Sequence, residues 1–241
     1  MVENNWLEHL TELRRRLIYC LLCVASLAIP LLYYAREIYH IYALPLLHNL
    51  PPHGQMIAIT VTAPLVVPLK LAVSIAVILT IPIFLYHLWM FIAPGLYRQE
   101  RQLIWPLLIC GSLLFYSGML FAYWIIFPLL FHFFAASAPS GVAIMTEIDA
   151  YLSFTLKLFF AFGIIFEIPI IVSLLVRTGI LSYEQLKSAR RYVIVLAFVF
   201  GMLIAPDVIS QTFLALPVWG LYEVGLLVAR FIQPVIKLRV E

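Results

Sequence analysis

The stretch Q-L-I-W-P-L-L-I-C-G-S-L-L-F-Y-S-G-M-L-F-A-Y-W-I-I-F-P-L-L-F-H-F-F-A-A-S-A-P-S-G-V-A-I-M-T, residues 102–146, holds no aspartate, glutamate, lysine or arginine. An ionised side chain at mid-bilayer costs at least ~2.5–3.5 kcal/mol, so a charge-free run of this length belongs in lipid. One crossing takes about 20 residues. The run is too long for a single crossing, and Ala138-Pro139-Ser140-Gly141 has the chemistry of the turn it needs. Working outward, residues 17–35, 71–97, 192–206 and 208–222 are also free of charge, and 150–176 contains only Lys157 and Glu167. The expected fold is therefore all-α and polytopic. Its six spans are placed at about 17–35, 68–92, 104–134, 150–176, 192–206 and 208–228 of one membrane domain, 1–241.

Composition agrees. Hydrophobic residues make up 64% and charged residues 11%, with mean hydropathy +1.05. Soluble domains average about 45–50% and about 25%. A net charge of +3 without a pooled basic patch argues against nucleic-acid binding. Cys20 and Cys23 lie inside an apolar run without flanking ligands, so core packing explains them better than a metal. The six histidines do not pair at ligand spacing. H-E-x-x-H, G-x-S-x-G and glycine-rich phosphate loops are absent from the sequence. Neither catalysis nor a cofactor or metal is expected.

Residues 38–69 carry no aspartate, glutamate, lysine or arginine but include Pro45, Pro51, Pro52, Pro64 and Pro68, so an extramembrane cap is expected there rather than a span. The outer loops are about 36–67, 135–149 and residue 207. Arg14, Arg15, Arg16, Arg98, Arg101, Arg177, Lys187, Arg190, Arg191, Arg230, Lys237 and Arg239 all fall on one side. By the positive-inside rule that side is cytoplasmic. It takes in an N-terminus at 1–16, loops at about 93–103 and 177–191, and a tail at 229–241. Lys70 and Lys157 lie near outer span ends and can snorkel. Trp89, Tyr97 and Trp105 on the inner side, and Tyr33, Tyr34, Tyr123 and Trp124 on the outer, fit interfacial anchors. Gly179 is placed to stop span four, and Ser182-x-x-Gln185 reads as a capping box for a short helix to Arg191. Spans five and six offer only 15 uncharged residues each, about 22 Å. Either the bilayer thins beside them or the helices extend past Tyr192 and Asp207.

Three carboxylates stand out. In W-L-E-H-L-T-E-L-R-R-R-L, Trp6, Leu10, Leu13 and Leu17 share one helical face, as in a helix lying at a membrane surface. Glu12 projects from the polar side, free to bind a ligand or to pair with Arg16 four residues on. Glu100 sits in F-I-A-P-G-L-Y-R-Q-E-R between Arg98 and Arg101. Two such carboxylates suit a ligand with two guanidinium groups. Glu167 lies ten residues before Arg177, about 15 Å along a helix and near mid-bilayer. That makes it a functional candidate or a structural hydrogen-bond partner. Pro169 frees a carbonyl beside it. A secondary transporter using Glu167, with Lys157 on the same helix, is the alternative class, though no internal repeat between the halves supports it.

The chain resembles the TatC family, the polytopic subunit of the twin-arginine protein translocase. The resemblance rests on H-L-T-E-L-R-R-R-L at 9–17, F-I-A-P-G-L-Y-R-Q-E-R at 91–101 and P-L-L-I-C-G-S-L-L-F-Y-S-G-M-L-F-A-Y at 106–123. Three further stretches carry it: Y-L-S-F at 151–154, F-G-I-I-F-E-I-P at 162–169 and G-M-L-I-A-P-D-V-I-S-Q at 201–211. It implies a glove-shaped bundle in the bacterial inner membrane that receives folded precursors with paired-arginine signal peptides. Single-span TatA- and TatB-type subunits would be its partners, in a multi-copy complex driven by the proton-motive force. It further implies that Glu12, Arg14, Phe91 and Glu100 bind the signal peptide and that Glu167 faces the concave side. Pro45 would be a structural position of the first outer loop, and Met202 and Gln211 would touch partner helices. Ile204-Ala205-Pro206-Asp207 departs from the family pattern of a hydroxyl residue and two prolines before the aspartate.

Overall fold

The computed structural model describes residues 2–49, 56–92, 104–137, 145–205 and 207–231. The proposed turn at 138–141, Glu100 and its loop, Pro206 and the tail beyond 231 lie outside the described residues. The helices are α1 Val2–Tyr33, α2 Ala35–Asn49, α3 Ala63–Leu79, α4 Ile81–Ile92, α5 Ile104–Phe121, α6 Phe127–Ala136, α7 Ile148–Ile165, α8 Ile168–Arg177, α9 Tyr183–Ser188, α10 Arg190–Ile204 and α11 Val208–Arg230. A π-helical turn, Ala122–Ile126, joins α5 to α6. The strands, β1 Met56–Ile57 and β2 Thr146–Glu147, pair in parallel, Met56 with Thr146 and Ile57 with Glu147.

Among the described residues, four stretches are long and apolar enough to cross a membrane: Leu10–Tyr33, Trp105–Phe134, Ile148–Arg177 and Val208–Arg230. The pair Ala63–Leu79 and Ile81–Phe91, bent by 47°, makes a fifth when counted as one broken span. α10 has 15 residues, about 22 Å against a hydrocarbon core of ~30 Å. α11 is longer than its 15 uncharged residues. It runs 23 residues, about 34 Å, because Asp207 caps its start and Glu223 is neutralised by Arg190 within it.

Several other boundaries differ from expectation for physical reasons. The N-terminal stretch is not a separate surface helix. It contains no proline or glycine, so α1 continues from Val2 straight into the first span. α2 occupies the expected cap and passes through Pro45. α3 starts at Ala63, before the expected 68, because Pro64 falls in its first turn, where an amide hydrogen is not needed. The second span breaks at Thr80. Pro82 has no hydrogen to give the preceding turn, and the Thr80 hydroxyl donates to the carbonyls of Ala76 and Val77 at 3.0 and 2.8 Å. Trp89, expected at the interface, is buried, whereas Tyr33, Trp105 and Trp124 are exposed.

The chain forms two compact units, residues 1–112 with 140–153, and 113–139 with 154–241. In the first, α3 packs on α1 and α2 through a face of Ala63, Val67, Leu71, Ala72 and Ala76. Small residues let apolar helices approach where water supplies no drive for association. Lys70 does not snorkel: its Nζ donates to Asp149 Oδ1 at 2.9 Å and Ser153 Oγ at 2.6 Å. In the second unit, Ile126, Leu130, Leu158, Phe162 and Leu214 form a fully buried core. α11 packs against α8 and α10. The Tyr222 hydroxyl donates to the Leu186 carbonyl at 2.7 Å, and Arg190 Nη2 donates to Glu223 Oε2 at 2.6 Å. Gly179 ends the fourth span with φ 69°, and Ser182 and Gln185 form the expected capping box, although α9 stops at Ser188.

Gly118 marks the closest approach. A Cβ there would meet the Phe162 carbonyl, with its carbon at 2.9 Å and Phe166 Cγ also at 2.9 Å, whereas Gly220 has open space. Gly118→Ala should therefore destabilise the detergent-solubilised protein by roughly 1–3 kcal/mol. Gly220→Ala should stay within about 0.5 kcal/mol. Denaturant unfolding followed by tryptophan fluorescence checks both, and equal stabilities would show that the helices can separate at Gly118 without loss.

Candidate functional site

The polar end of α1 places three consecutive arginines at 100° intervals around the helix. Arg14 is exposed. Arg15 Nε donates to the Tyr19 hydroxyl at 3.0 Å, with its guanidinium 5.6 Å from that ring. Arg16 turns to Glu12: its Nε donates to Glu12 Oε1 at 3.0 Å and its Nη2 bonds the same oxygen. The side chains are 19% and 35% exposed, so the pair is partly shielded. Tyr19 also stacks on His87 of α4, ring centroids 6.0 Å apart, and Tyr86 lies edge-on to His87 at 5.4 Å. Sequence reasoning did not single out Tyr19 or His87. The spacing of Arg15 and Tyr19 by one helical turn was the available signal for the first, but nothing local announced the second. Phe91 lies half-buried in the last turn of α4.

Glu167 occupies the joint between α7 and α8. Pro169 sits in the first turn of α8, and the chain tightens before it: Glu167 N donates to Ile164 O at 3.1 Å, one residue short of the α-helical register. The Glu167 carbonyl then accepts from both Ile170 and Ile171 at 3.0 Å. Its side chain is 8% exposed, and Oε1 is buried with no hydrogen-bond partner among the described residues. The structural hydrogen bond that would have explained this residue is therefore not made by Oε1. Lys157, its imagined partner in a transport path, is exposed on α7.

The α10–α11 turn shows what the remaining candidates do. Met202 is 61% exposed on α10. Gln211 donates through Nε2 to the Ala205 carbonyl at 3.2 Å, and its backbone lies against Gly201. Its amide thus holds the turn. Asp207 Oδ2 accepts from the Ser210 amide at 2.7 Å, capping α11. Burial works to raise the Asp207 pKa, but the Ser210 bond outweighs it and holds the carboxyl below its ordinary 3.8. Among the described residues no three His, Cys, Asp or Glu side chains converge as a metal site would require.

Long apolar helices, with a carboxylate that holds an arginine at one helix end and a buried carboxylate at a helix joint, mark a polytopic membrane protein. Residues 8–217 match the family described as Sec-independent protein translocase protein (TatC). The TatC of Haemophilus influenzae is 49% identical over 227 residues, covering 94% of this chain and 89% of that one. The Escherichia coli K12 protein is 49% identical, covering 92% and 87%, and the Aquifex aeolicus protein is 38% identical, covering 92% and 93%. A crystal structure of the twin-arginine translocase receptor TatC superposes with TM-score 0.81 at 38% identity, covering 92% of this chain and 98% of that one. A second, in DDM, gives 0.83 at the same identity, covering 92% and 99%. The chain belongs to the TatC family of the twin-arginine protein translocase, a family of translocase components.

The Asp207 cap generates a pH-dependent expectation. Asp207→Ala should lower stability by about 0.5–2 kcal/mol at neutral pH. Because the folded pKa is depressed, the ionised cap's contribution is present above the ordinary carboxylate pKa and is lost as pH falls through the folded value. The gap in melting temperature between wild type and variant should be constant from about pH 8 to 5 and narrow below about pH 4. A gap that stays flat down to pH 3 would show that the carboxylate charge is not what caps the helix.

Proposed function

We propose that this chain is the signal-peptide receptor and core platform of twin-arginine export. It takes folded precursors bearing paired arginines, and export is driven by the proton-motive force. The observation that carries the reading is Glu12, a carboxylate at the polar end of an apolar helix that already holds a guanidinium through two bonds. Together with Glu100, which the sequence puts in the first cytoplasmic loop, it would provide two carboxylate acceptors for paired guanidinium groups at the membrane surface, where ion pairs are stronger than in bulk water. Arg14 and Phe91 are the further signal-peptide contacts of this reading. The asymmetry of Lys and Arg supports a bacterial inner-membrane protein with six crossings, α10 included, and with both termini cytoplasmic.

TatA- and TatB-type helices are the partners we assign to the α10–α11 surface. An apolar groove of about 200 Å³ there is lined by Ile194, Phe198, Thr212, Leu216 and Trp219. Met202 lies exposed on the same α10, and Gln211 sets the turn that shapes the groove's outer end. Pro45, within α2, is a structural element of the outer cap, and Glu167 is the polar point that an inserted signal segment meets. Several copies would assemble into one receptor complex. Nothing in the arrangement favours a secondary transporter.

Glu12→Gln and Glu100→Gln should each weaken photocrosslinking of a twin-arginine precursor roughly tenfold, the loss expected for a charge-assisted hydrogen bond. Copurification with the single-span subunits should survive. Unchanged crosslinking in both variants would remove these carboxylates from the binding site.

A further inference from the structure

The receptor's arginine-reading carboxylate is not vacant. Of three adjacent arginines, Arg14 points to solvent and Arg15 is engaged by Tyr19, so Arg16 alone takes up Glu12. It does so with the chemical group that a signal peptide would bring, through Nε and Nη2 onto the single oxygen Oε1. Four-residue spacing on an unbroken helix makes this contact local and persistent. Its partial shielding lifts it above the negligible value of a fully exposed pair.

We propose that Arg16 is a built-in competitor for Glu12, setting the affinity that a signal peptide must exceed to be held. The inference rests on the assignment of Glu12 to signal binding. An incoming guanidinium must displace Arg16, so the apparent dissociation constant is the intrinsic one divided by the fraction of receptors with Glu12 free. That factor is the same for every ligand that uses Glu12. A paired-lysine peptide, which offers point charges instead of planar forks, starts from a weaker intrinsic affinity. The common factor raises its apparent dissociation constant above the working peptide concentration first. Arg16 thereby sets how tightly a peptide must bind, while the ratio between the two peptides stays as the contacts make it.

The test uses membranes containing the complete translocase with wild-type chain, Arg16→Gln, Arg16→Lys, Glu12→Gln and the Glu12→Gln/Arg16→Gln double variant. A fluorescent paired-arginine signal peptide and its paired-lysine counterpart are titrated against each. Arg16→Gln should tighten both peptides by a similar factor, about two- to tenfold, and Arg16→Lys should fall between it and wild type. In the Glu12→Gln background the gain should vanish, which a merely structural role for Arg16 would not produce. Unchanged or weaker binding to Arg16→Gln, with Glu12→Gln still impaired, overturns the competitor while leaving the Glu12 assignment standing. A gain that persists without the Glu12 charge also overturns it. Full binding by Glu12→Gln overturns the underlying assignment instead.

Discussion

A helix in hydrocarbon must satisfy its backbone amides and carbonyls internally, because lipid offers no partner. This chain places prolines at 82, 128 and 169, inside three of its apolar stretches, and each removes a donor from that ladder. The fold is organised around the repairs. At Thr80 a hydroxyl caps the preceding carbonyls and the span bends by 47°. Ahead of Pro128 the helix widens into a π turn over Ala122–Ile126, which moves the register so that the break is absorbed within one continuous span. At Pro169 a single carbonyl, that of Glu167, serves two amides. Each of these three irregularities thus lies beside a proline that the sequence shows.

Charge obeys the same constraint. Lys70 with Asp149, Arg190 with Glu223 and Arg16 with Glu12 are each neutralised by a partner on a helix within the same unit. Two of these pairs tie separate helices together, and that cross-linking is a use for charge that does not require exceptional strength. Glu167 stands apart. It is buried at a helix joint, with one carboxyl oxygen unpartnered. The joint itself is explained by Pro169, so the carboxylate is not needed to make the bend.

Most of the architecture was legible because lipid imposes a simple reading rule. Charge-free runs locate spans, Gly179 locates a stop and Ser182 with Gln185 locates a start, all from local chemistry. What was not legible depended on distance or on cancellation. The pairing of Lys70 with Asp149 joins residues 79 apart, which no local pattern reports. The uncharged run at 208–222 stops short of the end of α11 because Glu223, a charge inside the helix, is neutralised in place by Arg190. Pro64 and Pro45 were read as breakers, but a proline in a first turn costs no hydrogen bond, and α2 accommodates one internally. For the site, Glu12 was visible as a carboxylate on an amphipathic face. Whether it was free or held by Arg16 was a question of side-chain geometry that spacing alone left open.

That geometry bears on how a receptor without covalent chemistry discriminates. Arginine and lysine differ little in charge, so a carboxylate in water separates them weakly. The difference between a planar fork and a point charge grows when the acceptor is partly shielded. The end of α1 meets that condition. Glu12 is about one-third exposed, and the group already on it is an arginine. A lysine would be asked to replace a bidentate contact with a monodentate one, whereas an arginine replaces like with like. In such a site the contacts set the preference between ligands, and what the resting receptor already holds sets the affinity at which either is bound.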